Sequence, residues 1–187
     1  ETPTLSIKET DFNMIEDQAI SLTLDDVLQS SSVDSSTIKN IQLLDSSMSV
    51  VFSGQEFTLS PGQDVTGVSQ VVLTIENEFG IEETLQLNLT ITSVNDAPVI
   101  TGFTLLDTNE DTALQFNALD YFSDVDGHTL SLVSIVSVSN GDVVIQGNDI
   151  LYTPQRDFFG TDVITVEVTD NEGGTVIDSF WINVVSQ

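Results

Sequence analysis

The chain has 187 residues, with 3 basic against 30 acidic side chains, a net charge of −27 and no cysteine. Lys8, Lys39 and Arg156 cannot replace the counterions of a nucleic-acid backbone, and without cysteine neither a disulfide-stapled scaffold nor a Cys-ligated zinc site can form. With 40% hydrophobic residues the chain can bury a core despite its charge, and the length suits one large domain or two of roughly 90 residues.

In chain order, the first landmark is Glu16-Asp17, which marks an early turn. The stretch 25–37, from Asp25-Asp26-Val27-Leu28-Gln29 to Thr37, reads as a long surface loop. Pro61, Asp64 and Gly67 mark a further loop. Val71, Leu73 and Ile75, then Leu87, Leu89 and Ile91, alternate with polar residues as half-buried strands do. Ser93-Val94-Asn95-Asp96-Ala97-Pro98 is a hinge. Beyond it, strand-like runs fall at 113–117, 129–137, 142–146, 150–153, 162–169 and 175–185. Asn140-Gly141, Gly147-Asn148 and Gly173-Gly174 punctuate them as turns. No window of ten or more residues holds a 3.6-residue period.

The two halves repeat. Pro61, Asp64, Gly67 and Gly80 recur 93 residues on as Pro154, Asp157, Gly160 and Gly173. Val71, Leu73 and Ile75 map onto Ile164, Val166 and Val168, and Leu87, Leu89 and Ile91 onto Phe180, Ile182 and Val184. Glu16-Asp17 recurs as Glu110-Asp111 at an offset of 94. Fixed-period self-similarity marks a tandem array. The expectation is an all-β chain of two tandem seven-stranded Greek-key β-sandwiches, residues 1–94 and 95–187, cut from a longer repetitive protein.

Val94-Asn95-Asp96-Ala97-Pro98, Asn109-Glu110-Asp111-Thr112, Asp124-Val125-Asp126-Gly127, Tyr152-Thr153-Pro154, Phe159-Gly160-Thr161-Asp162 and Val168-Thr169-Asp170 carry a family likeness. The chain resembles the cadherin-like tandem repeats of large bacterial surface adhesins of the RTX type. That resemblance covers both halves, is stronger in the second, and implies a cadherin/immunoglobulin-like sandwich with calcium at the joint between successive domains.

Topology reaches the same place independently. In a seven-stranded sandwich the chain reverses at each loop, so the loops after the first, third and fifth strands share the end that carries the C-terminus. The others share the end that carries the N-terminus. Glu16 and Asp64 of the first repeat are therefore expected to face the hinge, and Asp124, Asp126 and Asp170 to face it from the second. Asn95 and Asp96 are the hinge itself. Two carboxylates about 4 Å apart repel by roughly 4 kcal/mol at an effective dielectric near 20. A cation is needed, and Ca2+, which accepts about 6–8 oxygens in flexible geometry, suits such a set better than Mg2+ or Zn2+.

The first repeat departs from this pattern. Ser32-Val33-Asp34 stands where the second repeat has Asp124-Val125-Asp126, and Asn77 stands for Asp170. Its outer end keeps Glu1, Asp34 and Glu78, and a weak or absent calcium site is expected there. Glu110 and Asp157 at the far end are expected to be half-sites.

No Gly-x-Ser-x-Gly elbow, P-loop or dinucleotide fingerprint is present, and the acids fall at domain ends rather than along a cleft, so catalysis is not expected. The lone histidine, His128, reads as an exposed loop residue, and Trp181, between Phe180 and Ile182, as a flank or core residue rather than a sugar platform. The sequon Asn88-Leu89-Thr90 lies inside a predicted strand. The expected function is a non-catalytic extracellular spacer or adhesion module, likewise monomeric, with neighbouring repeats of the same chain as partners. The alternative is a module whose sandwich loops bind a cell-surface glycan or protein. Neither nucleic acid nor membrane insertion by this segment is expected, since no apolar run reaches the ~18 residues of a span and no basic leader opens the chain.

Overall fold

The computed structural model describes residues 5–29, 36–102 and 104–187, which fall into two compact units, Glu1–Val94 and Asn95–Gln187. The readings that involve Glu1 and Ser32-Val33-Asp34 lie outside the described residues.

The first unit runs β1 (Asp11–Ile15), β2 (Ile20–Thr23), a helical turn α1 (Leu24–Val27), β3 (Thr37–Leu43), β4 (Met48–Ser53), β5 (Glu56–Pro61), β6 (Gly67–Glu76) and β7 (Glu82–Thr92). One sheet has the order β1-β7-β6-β3 and the other β2-β5-β4, so the chain changes sheet repeatedly, as a Greek key does. β1 lies parallel to β7 while the other ladders are antiparallel. An odd number of strands that reverses at each connection leaves the first and seventh pointing the same way.

Alternation decides what the sheets bury. Val71, Leu73 and Ile75 of β6 and Leu85, Leu87, Leu89 and Ile91 of β7 face inward against Leu22, Phe57 and Leu59 of the second sheet. Each such side chain stabilises the fold by roughly 1.5–3 kcal/mol when fully buried. The edge strand β3 is bulged between Ile38 and Asn40, and there Lys39 points out to pair with Glu76 at 3.2 Å. Half exposed, that pair adds little stability, but charge and bulge together discourage edge-to-edge pairing.

The stretch 25–37 is not wholly a surface loop. Asp26 Oδ2 accepts the backbone N–H and hydroxyl of Thr23 at 2.7 and 2.9 Å, which starts the single turn α1. That turn drives Leu24, Val27 and Leu28 into the core, all at 0% exposure. One helical turn is too short to register as a period, so its apolar residues read as loop.

The second unit runs β8 (Val99–Ile100), β9 (Leu105–Asn109), β10 (Leu114–Asn117), a 3-10 turn (Ala118–Tyr121), β11 (Phe122–Ser123), β12 (Ser131–Val138), β13 (Gly141–Gln146), β14 (Asp149–Pro154), β15 (Gly160–Thr169) and β16 (Thr175–Val185). Its two main sheets, β9-β16-β15-β12 and β10-β14-β13, repeat the first unit's plan, with β9 parallel to β16. Seven strands correspond, and β8 and β11 add a two-stranded ribbon beyond the expected seven. The ribbon exists because the opening strand divides its bonding. The N–H of Thr101 donates to Tyr121 at 2.8 Å, whereas the carbonyl of Thr104 accepts from Trp181 of β16 at 2.8 Å. In the first unit, among the described residues, the corresponding place holds the bridge of Ile7 with Leu28.

Here the core is partly aromatic. Phe116, Tyr121 and Phe122 meet Phe180 edge-on, with ring centroids 4.9, 5.3 and 6.2 Å away. Trp181 stays on the outer face, 44% exposed, between the buried Phe180 and Ile182. Among the described residues no helix is long and apolar enough to cross a membrane.

Candidate metal centre

In the first unit, Glu16 closes β1 and is buried at 4% exposure. Its Oε1 accepts the N–H of Val94 at 2.5 Å, and its own N–H donates to Thr92 at 3.1 Å. Asp64, after β5, donates its N–H to Asp17 Oδ1 at 3.1 Å. The turn after β1 and the loop after β5 therefore gather at the end where β7 leaves the unit. Asp17 belongs to this group although sequence reasoning did not single it out as a ligand. The signal was its place in the recurring Glu-Asp pair. Asp17, Asp64, Asp111 and Asp157 all adopt left-handed φ, at 59, 55, 57 and 56°, and Asp111 Oδ1 accepts Asp157 N–H at 3.2 Å in the second unit. Glu110 likewise accepts from Gln187 N–H at 2.7 Å. Both units build this end with one set of contacts.

The opposite end of the second unit holds the other five candidates. Asn95 Nδ2 donates to Asp170 Oδ2 at 2.7 Å, and Asp96 N–H donates to Asp126 Oδ2 at 2.9 Å. The linker residues are thus tied to the loops after β11 and β15. Asp170 is buried at 1% exposure and its Oδ1 accepts three successive N–H groups, from Glu172, Gly173 and Gly174, at 2.7, 3.0 and 2.9 Å. Burial alone would raise its pKa, but the bonds from Asn95, Glu172, Gly174 and Gly173 outweigh it and hold the carboxyl below its usual 3.8. Residue 174 must be glycine, because a Cβ there would run into the Asp170 carboxylate and Ala97.

Asp124 lies in the loop after β11. Its Oδ1 accepts His128 N–H at 3.0 Å across a turn in which Gly127 takes φ 77°. Its side chain is 1% exposed, and Oδ2 is enclosed with no hydrogen-bond partner. Asp124, Asp126 and His128 can each offer a ligand atom, all within 4.8 Å of one another. His128 is not an exposed loop residue. Two-thirds of its side chain is covered, and Nδ1 is buried without a partner, 3.5 Å from Asp124 Oδ1. That burial depends on how the loop folds back on Asp124, which spacing does not reveal.

The fit to a cation rests on that orphaned oxygen. A buried, unpaired carboxylate oxygen costs the desolvation of a charged acceptor, and a cation beside it removes the cost. The neighbouring Asp126 carboxylate is an oxygen donor of the hard kind that calcium accepts, and the His128 ring nitrogen lies within the same group. At the equivalent loop of the first unit, Asn77 does Asp170's structural work with a neutral amide. Its Oδ1 accepts Phe79 and Ile81 N–H, both at 3.0 Å. A turn of this kind needs an acceptor there but can form without a charge, as Asn77 shows.

Residues 95–183 match the family model described as Bacterial Ig domain. No curated protein sequence matches the chain. Among solved structures, the chain is similar to the human Desmocollin-1 ectodomain, with 12% identity over 98% of this chain and 41% of that one, at a TM-score of 0.51. It is also similar to human mucin-like protocadherin EC1-2, with 16% identity over 98% of this chain and 99% of that one (TM-score 0.48). An endo-fucoidan hydrolase from glycoside hydrolase family 107 aligns at 14% identity over 98% of this chain and 29% of that one (TM-score 0.41). The chain thus spans less than half the length of the hydrolase and of the desmocollin ectodomain. The likeness to the desmocollin ectodomain is one of fold, and the fold is an all-β array of cadherin/Ig-like sandwiches.

Proposed function

We propose that the chain is a non-catalytic spacer segment of an extracellular, adhesive surface protein, stiffened by calcium at the joint between its two sandwiches. The supporting observation is the buried, unpartnered Oδ2 of Asp124, set beside Asp126 in the loop after β11. In this reading Glu16 and Asp64 supply one half of the ligand set, and Asn95, Asp96, Asp124, Asp126 and Asp170 the other. Calcium would replace mutual repulsion between carboxylates with shared coordination, and the hinge at 93–98 would lose freedom. A chain of such joints holds a terminal binding domain away from a surface.

The test is small-angle scattering of the chain with calcium and then with excess chelator. A maximum dimension that is sharply defined with calcium and broadens on chelation is expected. Replacing Asp124 and Asp126 together with Asn should abolish that difference and leave both sandwiches folded by circular dichroism. A profile indifferent to calcium overturns the proposal.

A further inference from the structure

The first unit contains no histidine, and the second contains the chain's single one, with its Nδ1 turned into the acidic loop rather than to water. Three features of this place are unusual together. Asp124 Oδ2 is buried and unpartnered in a side chain that is 1% exposed. His128 Nδ1 is buried and unpartnered as well. The two groups approach at 3.5 Å through Asp124 Oδ1, long for an N–H···O bond, whose usual range is about 2.7–3.2 Å. That spacing is close to the ~3.3 Å edge of a tetrahedron built on zinc bonds of ~2.0–2.1 Å. Asp126 completes a trio whose donor atoms all lie within 4.8 Å.

We infer that Asp124, Asp126 and His128 form a mixed nitrogen–oxygen cation site, contained within the second unit, that takes a zinc-class divalent ion. Carboxylates alone favour hard ions such as calcium, whereas an imidazole nitrogen adds a donor that suits zinc, nickel or copper. Three protein donors leave zinc a fourth position for water or an adjoining group. The inference shares Asp124 and Asp126 with the calcium reading and rests on it only for those two carboxylates being cation ligands. It needs neither calcium nor the joint. Zinc and calcium would compete for the two carboxylates, so zinc would act as an antagonist of calcium here.

The experiment titrates the full chain with Zn2+ and, separately, Ca2+ by calorimetry, in the unmodified protein and in His128→Gln. Zinc affinity should fall at least about tenfold in the variant, the lower edge of what even outer-shell changes cost. Calcium affinity should stay within a factor of two. A second readout needs no variant. With one histidine in the chain, its ring 15N resonances report this site alone, and zinc but not calcium should shift Nδ1. Unchanged zinc affinity in His128→Gln overturns the inference. So does a histidine signal that ignores zinc. His128-dependent zinc binding without any calcium binding would sustain this site and sink the calcium joint.

Discussion

The two units carry one plan with two kinds of interior. Left-handed aspartates sit at matching places, Asp17 and Asp64 in one and Asp111 and Asp157 in the other, and the turn glycines Gly54 and Gly147 both take positive φ. Inside, the units diverge. Where the second buries Phe180 among Phe116, Tyr121 and Phe122, the first has Leu87, Leu22, Val27 and Leu28. Where the second buries Asp162, the first has Ser69, whose hydroxyl is enclosed with no partner. Asp162 Oδ2 accepts Tyr152 O–H and Asn140 N–H, each at 2.9 Å, and its Oδ1 accepts Val163 N–H at 2.8 Å. The first unit offers Leu59 and Ser47 at the places of Tyr152 and Asn140. A buried carboxylate is tolerated only where its donors come with it.

The sharpest way to break this comparison is to move the charge without its donors. Ser69→Asp should destabilise the first unit by about 3–5 kcal/mol, the cost of an uncompensated buried charge. Urea denaturation followed by circular dichroism should show the first unit melting early. Trp181, the chain's only tryptophan, lies in the second unit, so its fluorescence transition should stay in place. The reverse change, Asp162→Ala, strands Tyr152 O–H and Asn140 N–H. It should cost the second unit about 2–4 kcal/mol, with the fluorescence transition now the one that moves. Ser69→Ala removes a hydroxyl that already lacks a partner and should leave stability unchanged or slightly higher.

Alkaline pH separates the units in another way. Tyr152 has its pKa pushed well above the ordinary 10, first by burial and then by the hydrogen bond to Asp162 and the repulsion of its charge. A group whose folded pKa is raised contributes stability that is complete below its unfolded pKa and is lost as pH climbs past it. Both of the chain's tyrosines, Tyr121 and Tyr152, lie in the second unit. Above pH 10 the fluorescence transition should therefore shift to lower urea, and Tyr152→Phe should flatten that shift. An equal alkaline loss in the Phe variant would remove Tyr152 as its source.

Much of this organisation was readable beforehand, for definite reasons. Ile164, Val166 and Val168 are buried at 0% exposure and follow a strict period of two, which survives any detail of packing. Constant offsets exposed the repeat because turn residues such as Gly67 and Gly160 meet the same backbone demand in each copy. What escaped was short or tertiary. Leu24, Val27 and Leu28 sit on a single turn with no period to detect, and the ribbon of β8 with β11 involves two residues a side. His128 escaped because a histidine after Asp-x-Asp-Gly looks solvated until the loop closes over Nδ1. Asp124 was singled out for its spacing, but its orphaned oxygen is a property of the fold.

The finest distinction between the units lies at Asn77 and Asp170, and it separates loop building from charge. Both side chains organise the turn that follows the sixth main strand of their unit by accepting N–H groups from it, so Asp170→Asn keeps an acceptor in place. Asn has one acceptor oxygen, so the bond from Asn95 Nδ2 to the second carboxylate oxygen is lost, and without calcium the variant's stability at neutral pH should fall by about 1–3 kcal/mol. Acid should reveal the difference. Because the folded pKa of Asp170 is lowered, its contribution is present above the ordinary 3.8 and is lost as pH falls below it. Asn cannot titrate, so the variant's stability should decline less between pH 4 and pH 2 than that of the unmodified chain. Calcium supplies the opposite lever. If the charge at this position serves a cation, added calcium should raise the melting temperature of the unmodified chain more than that of Asp170→Asn. Equal calcium responses would return Asp170 to the role Asn77 already fills, an acceptor that shapes a turn.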